Sequence, residues 1–139
     1  MQIVSALFVD GFSLRDGGGG TTRMDLTGVH FSESLETEFP ARLDTHLLVL
    51  VRGPARVPAT TDLTVSFLRE GRVLDRVTHT LEIDPGRFAY RLIRQGLTWT
   101  EPGTIEARCA VGGGPPVTVP LTVTARAGSA ADTAAQGPE

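Results

Sequence analysis

The side chains best suited to binding chemistry are a single tryptophan and a group of arginines. Arg91 and Arg94 lie in one alternating segment, close in sequence to Trp99. Guanidinium groups beside an aromatic ring suit an anion, a sugar or the carboxylates of a partner. Ion pairing with acidic residues of the same hairpins is the favoured alternative for these arginines. Arg91, Arg94 and Trp99 are therefore candidate binding residues.

The three histidines lie on separate segments, and no two of them have the spacing of metal ligands. His79 falls on an apolar strand face, which is typical of a hydrogen-bonded core histidine. His46 belongs to the apolar segment 43–52, where it would share a face with Leu48 and Leu50. It is the fourth candidate binding residue. The sequence predicts no metal site and no cofactor.

Other patterns lack the context that their chemistry requires. The glycines at 17–20 are not followed by a helix or a lysine, so they predict a hairpin tip and no phosphate cradle. Asp10, Asp16 and Asp25 lack the spacing of a calcium loop and are interpreted as solvated turn residues. Cys109, the single cysteine, lies on an apolar face and predicts a buried thiol. We predict that the protein is not an enzyme, although a site assembled from distant residues stays open.

Composition limits the partners. The formal net charge is −3, and all 13 basic residues are arginine. A mildly acidic chain has no general attraction to nucleic acid or to anionic membranes, and a chain without lysine cannot form a Schiff base. With a single cysteine and no signal-peptide pattern, the simplest location is the cytoplasm. The length fits one domain, residues 1–126, and the absence of large apolar residues from 128 onward predicts a disordered tail at 127–139.

The segment 43–52 predicts the strand around which the chain is organised. Residues 47–51 are apolar at every position, which is typical of a central strand covered on both faces. Alternating apolar and polar residues, separated by turn signals, predict further strands at 3–9, 24–31, 63–67, 73–83, 88–99, 104–111 and 117–125. About eight short strands without a helical period favour an all-β fold in which two antiparallel sheets pack as a β-sandwich.

Four local features refine this prediction. Gly28 lies where the alternation shifts and predicts a β-bulge, and residues 34–38 predict one short helical turn. Phe39 is expected to pack onto the core. Pro120 cannot donate a backbone hydrogen bond, so its strand is predicted to lie at a sheet edge or to be bulged.

Three stretches together resemble a family of small bacterial proteins of unknown function. They are residues 6–10 (ALFVD), residues 26–29 (LTGV) leading to Phe39 and Pro40, and the hairpin segment 63–72. The resemblance covers residues 3–125 and implies a stand-alone β-sandwich of unassigned role. Residues 101–108 also resemble the penultimate strand of many immunoglobulin-like sandwiches. This second likeness implies an immunoglobulin-like architecture and carries no function.

Taken together, the sequence predicts a non-catalytic cytoplasmic module that binds another protein or associates with itself. The binding surface is expected to be an edge strand or the arginine-bearing face. A small-ligand module, holding an anion or a carbohydrate near Trp99 and Arg91, is the alternative. An enzyme with a dispersed site is the second alternative.

Overall fold

The protein is described here by a computed structural model covering residues 1–126, and the predicted tail at 127–139 lies outside these residues. The described chain contains strands and no helix, so the all-β prediction is confirmed. In chain order the strands are β1 (Gln2–Gly18), β2 (Thr21–Val29), β3 (Ser32–Leu35), β4 (Ala41–Arg52), β5 (Ala59–Arg69), β6 (Arg72–Ile83), β7 (Phe88–Trp99), β8 (Gly103–Val111) and β9 (Val117–Ala125). Within the described residues there is thus no helix of a length and apolarity suited to crossing a membrane.

The first sheet has four antiparallel strands in the order β2-β1-β4-β7. The strand predicted to be central, β4, lies between β1 and β7. The long strand β1 changes partner along its length, because residues 2–8 pair with β4 and residues 9–18 pair with β2. The distal half of β1 and all of β2 therefore form a hairpin that is not paired with β4.

The second sheet has five strands in the order β3-β9-β8-β5-β6. All neighbours are antiparallel except β3 and β9, which run parallel. The backbone N–H of Thr122 donates to Phe31 on the β3 side of β9. Because Pro120 lies two residues earlier, its nitrogen faces the same side, where β3 no longer pairs. The prediction that this strand is a sheet edge or bulged is wrong for β9 as a whole, which lies between β3 and β8 in continuous register. Only the side of β9 at Pro120 is left open, because β3 pairs with residues 122–125 alone.

The core fills the space between the two sheets. Strand alternation directs one side chain in two inward, and large apolar side chains from both sheets meet there. Phe39 packs against this core from the link before β4, as predicted, and His79 lies half-buried on the predicted apolar face of β6. The largest fully buried members are Trp99, Phe8, Phe67, Leu47, Leu63, Ile105 and Leu121.

The prediction of a helical turn at 34–38 is wrong, because residues 32–35 form strand β3. Its pairing with β9 is nonlocal: Leu35 accepts a hydrogen bond from the backbone N–H of Arg126 at 2.7 Å. A partner some 90 residues away overrides the local preference of an acidic link.

The prediction of a bulge at Gly28 is also wrong. Val9 opposes Val29 and Gly11 opposes Thr27, so the register continues across this position, and the irregularity lies between Asp16 and Gly18 instead. Gly28 has a φ of +63°, which few residues other than glycine adopt. The shifted alternation thus marks a special backbone conformation, with no extra residue inserted.

Candidate functional site

The hairpin of β1 and β2 bends across the outer face of the four-stranded sheet. Its Phe12 ring meets the Tyr90 ring of β7 edge to face, with centroids 5.4 Å apart and an interplanar angle of 71°. Tyr90 opposes Leu50 of β4, whose partner on β1 is Ser5. Phe12 therefore reaches Tyr90 by folding over the sheet, since β4 separates the two strands within it.

A groove of about 750 Å³ lies between this hairpin and the outer sheet face. The hairpin forms the wall of the groove, and β4 and β7 form its floor. Tyr90 is 42% exposed, Leu14 45% and Phe88 60%. The residues that line the groove are Leu14, Gly20, Thr21, Thr22, Arg23, Met24, Leu50, Gly86, Arg87, Phe88, Ala89 and Tyr90, and none of them carries a carboxylate.

Two loops fix the floor of the groove where β7 begins. Arg87 donates its backbone N–H to Asp84 at 3.1 Å, which closes the turn after β6. The N–H of Gly86 donates to Pro54 at 2.7 Å, and Arg87 accepts from Gly53 at 3.0 Å. These bonds tie the turn before Phe88 to the loop after β4, so the groove floor has a defined backbone.

The hairpin tip is also ordered by hydrogen bonds. Asp16 Oδ1 accepts the N–H of Gly18 at 2.8 Å, and Thr21 Oγ1 donates to the Gly18 carbonyl at 2.6 Å. Arg15 pairs with Asp25 across the two strands at 2.6 Å. The glycine run thus forms a hairpin turn, as predicted, and positions Leu14 and Met24 at the groove.

Two of the four predicted binding residues lie together. His46 of β4 and Arg94 of β7 are directly opposite each other in the strand pairing. Both lie on the outer face, because the neighbouring positions Leu47 and Ile93 belong to the core. The face that His46 was predicted to share with Leu48 and Leu50 is therefore confirmed.

Arg91 lies on the opposite face of β7, and it does not join Arg94. Its side chain crosses toward the second sheet and donates from Nη2 to the Thr80 carbonyl of β6 at 3.0 Å. Nearby, the Gln95 side chain of β7 donates to Asp75, which lies on β6 like Thr80. Arg91 thus connects the edges of the two sheets through a backbone carbonyl, whereas the alternative weighed for the arginines was ion pairing with acidic side chains.

Trp99 is fully buried in the core, and its indole Nε1 donates to the Gly103 carbonyl at 3.1 Å. The ring has no exposed face, so a ligand could not stack on it in this structure. The small-ligand surface expected near Trp99 and Arg91 is therefore not formed by these two side chains.

Leu14, Met24 and Phe88 were not selected from the sequence. Alternation in residues 88–93 identifies two faces, of which one carries Phe88 and Tyr90 and the other Ala89 and Ile93. The larger aromatic residues are on the outer face, against the usual expectation. The one available signal was that both faces of this strand and of β4 are apolar.

Cys109 is buried on the inner face of β8, as predicted. Desolvation by burial raises the pKa of its thiol to about 12. At neutral pH the thiol is protonated and enclosed, which does not suit a nucleophile.

Comparison with known proteins gives no match to any protein-family model, curated protein or solved structure. The resemblance to a small bacterial family consequently stays a prediction.

Proposed function

We propose that the protein is a non-catalytic binding module that holds an extended, apolar segment of another protein in the groove beneath the β1–β2 hairpin. The observation that carries this proposal is the convergence of Leu14, Phe88 and Tyr90, all substantially exposed, on one groove. Exposed apolar surface that is concentrated in a concave site marks interaction sites.

The size of the groove supports this occupant. A volume of about 750 Å³ falls within the range of roughly 300–1,000 Å³ that is usual for binding clefts. The groove is open along the hairpin, and residues 21–24 of the edge strand β2 form part of its wall. An edge strand offers unpaired main-chain groups, which can hydrogen-bond an extended segment.

The charges of the groove specify the segment further. Arg23 and Arg87 line it, and none of its lining residues carries a carboxylate, so the charged side chains of the groove are positive. A segment that combines apolar side chains with an aspartate or a glutamate matches this surface, because guanidinium groups bind carboxylates in bidentate fashion.

In this proposal the protein works in the cytoplasm as an immunoglobulin-like sandwich. The two sheets around one core support the architecture, and the protonated, enclosed thiol of Cys109 supports a role without thiol catalysis. The location and the finer fold type both rest on the sequence.

Selection from a phage-displayed library of random peptides tests this function. Wild-type protein is expected to enrich peptides with two or more apolar residues and an acidic residue. Phe88→Ser and Tyr90→Ser are expected to lose this enrichment, because they remove the aromatic floor. Val73→Ser is the matched control, since Val73 is 45% exposed on β6 of the other sheet.

An enriched peptide is then synthesised and titrated by calorimetry against the same three variants. Equal affinity for wild type and Phe88→Ser would contradict the proposed site. Sedimentation of the protein alone separates self-association from partner binding. A dimer that dissociates on Phe88→Ser would identify a second copy as the occupant and would replace the peptide proposal.

A further inference from the structure

A second site lies at the base of the hairpin, where the chain crosses from one sheet to the other. His30 stands between β2 of the first sheet and β3 of the second. Its backbone N–H donates to Phe8 at 3.0 Å, and the next residue, Phe31, accepts from Thr122 at 2.9 Å. The backbone of the crossing is thus hydrogen-bonded to both sheets, which fixes the position from which the His30 side chain projects.

Asp10 lies where β1 leaves β4 and pairs with β2. A Cβ atom at Gly28, which opposes this part of β1, would collide with the Asp10 carboxylate. Together with the positive φ of Gly28, this contact restricts the position to glycine. The backbone therefore leaves room for a carboxylate beside His30.

His30 faces a carboxylate from each of its ring nitrogens. Its Nε2 lies 3.4 Å from Asp10 Oδ1, and its Nδ1 lies 3.4 Å from Glu33 Oε1. One ligand atom from each of the three residues lies within 4.8 Å of the other two. A direct charge-assisted hydrogen bond would be shorter, at about 2.7–2.9 Å.

In a tetrahedral zinc site with bonds of about 2.0–2.1 Å, neighbouring ligand atoms are about 3.3–3.4 Å apart. The two 3.4 Å contacts start from different ring nitrogens, so the nitrogen that binds the ion has one carboxylate at this separation. The other carboxylate belongs to the same cluster, within 4.8 Å. Nδ1 of His30 is inaccessible to solvent, and its contact with Glu33 Oε1 at 3.4 Å does not meet hydrogen-bond geometry. Buried ring nitrogens normally have a closer partner, which a bound ion would supply.

We propose that Asp10, His30 and Glu33 bind a divalent transition-metal ion of the zinc class. The ion takes a ring nitrogen of His30 and an oxygen from each carboxylate, and the two negative charges balance its own. An imidazole ligand favours zinc over calcium and magnesium, which prefer oxygen ligands. Asp10 and Glu33 have side chains that are 66% and 39% exposed, so the ion has access from solvent.

His46 borders the same site. Both histidines and both carboxylates line a cavity of about 160 Å³ that also contains Asp44 and Thr45. Nδ1 of His46 lies 3.3 Å from the Asp10 carbonyl oxygen. When Nδ1–H donates to that carbonyl, Nε2 keeps its lone pair, which is the usual state of a metal-binding imidazole.

The test is a zinc titration of the full chain after treatment with a chelator. Calorimetry and competition with a chromogenic zinc indicator are expected to show one ion per chain, with a dissociation constant in the micromolar range or below. Asp10→Asn, Glu33→Gln and His30→Ala are each expected to weaken binding by at least about tenfold. His79→Ala and Glu106→Gln are the matched controls, because both residues lie outside the cavity.

Cobalt gives a second readout. Co²⁺ bound at a site of this kind shows visible d–d absorption, which the Glu33→Gln variant should lose while its circular dichroism stays native. Glu33→Gln is near-isosteric, so it tests the site even where His30→Ala fails to fold. Absence of stoichiometric zinc binding, or binding that survives all three substitutions, would overturn the proposal. If wild type binds no zinc and His30→Ala is less stable, the metal proposal is overturned. His30 then only pairs with Asp10 and Glu33.

Discussion

The two faces of the four-stranded sheet carry similar apolar residues but bury them to different degrees. On the inner face, Leu47, Val49 and Val51 of β4 are all fully buried against the second sheet. On the outer face, Leu48 is only 2% exposed, whereas Tyr90 and Phe88 of the neighbouring strand are 42% and 60% exposed. A complete sheet covers the inner face, and a narrow hairpin covers part of the outer one. Apolar surface that one hairpin leaves uncovered is what the proposed function uses.

The largest difference between the faces is expected in stability. Leu47→Ala creates a cavity in a fully buried position and should lower the free energy of unfolding by about 2–5 kcal/mol. Leu50→Ala on the outer face removes the same atoms from a half-buried position and should cost clearly less. Urea denaturation of both variants measures the difference. Equal losses would mean that the outer face is as well packed as the core.

Burial on the inner face should also make the stability of the protein depend on pH, through Cys109. Folding raises the pKa of Cys109 from 9.0 to about 12, so the thiol stays protonated in the folded protein after it ionises in the unfolded chain. Its contribution to stability is complete below pH 9 and is lost as the pH rises toward 12. By pH 10 the loss amounts to about 1 kcal/mol.

Cys109→Val is the variant that isolates this contribution. Its stability should fall less than that of wild type between pH 8 and pH 10, as measured by urea denaturation at each pH. If the stability of the two proteins fell equally with pH, burial would not raise the pKa of the Cys109 thiol.

Two arginines of β7 sharpen the comparison, since they lie three residues apart on opposite faces. Arg91→Met removes the hydrogen bond to Thr80 that joins the sheet edges and should cost about 1 kcal/mol. Arg94→Met changes an exposed side chain and should alter stability by no more than about 0.5 kcal/mol. Thermal or urea unfolding distinguishes them, and the reverse order would place the structural arginine on the outer face.

The smallest effect on stability is expected at the groove itself. Phe88→Ser replaces a side chain that is 60% exposed and should change the free energy of unfolding by no more than about 0.5 kcal/mol. The same variant should abolish peptide enrichment, so binding and stability separate at this residue. A large loss of stability would show instead that Phe88 is a packing residue.

Much of the fold could be predicted from local patterns. The apolar run 47–51 correctly indicated a central strand. Pro120 indicated a place without a ladder partner, but β9 is an interior strand, because β3 covers only its residues 122–125. The short strand β3 could not be predicted, since its pairing depends on residues 122–125 rather than on its own sequence. Gly28 was recognised as a special position, but its positive φ and its neighbour Asp10 became visible only in the folded chain.

The candidate sites were far less predictable. His46 was selected from the sequence and borders the proposed metal site, whereas Asp10 was interpreted as a turn residue and Glu33 was not considered. Arg91 and Arg94 were treated as one group because they are close in the chain. An odd separation along a strand places two side chains on opposite faces, and this rule separates them once the strand is established.

The sequence by itself determined where strands and turns form, because alternation, glycine and proline act over a few residues. Only the tertiary structure decided which face of each strand points inward, since a period of two relates neighbouring residues without assigning either face to the core. It also decided what meets at the base of the hairpin: Asp10, His30 and Glu33 belong to three segments that come together where the chain crosses between the sheets. Phe12 and Tyr90 are likewise 78 positions apart in sequence, and their contact depends on the hairpin folding back over the completed sheet.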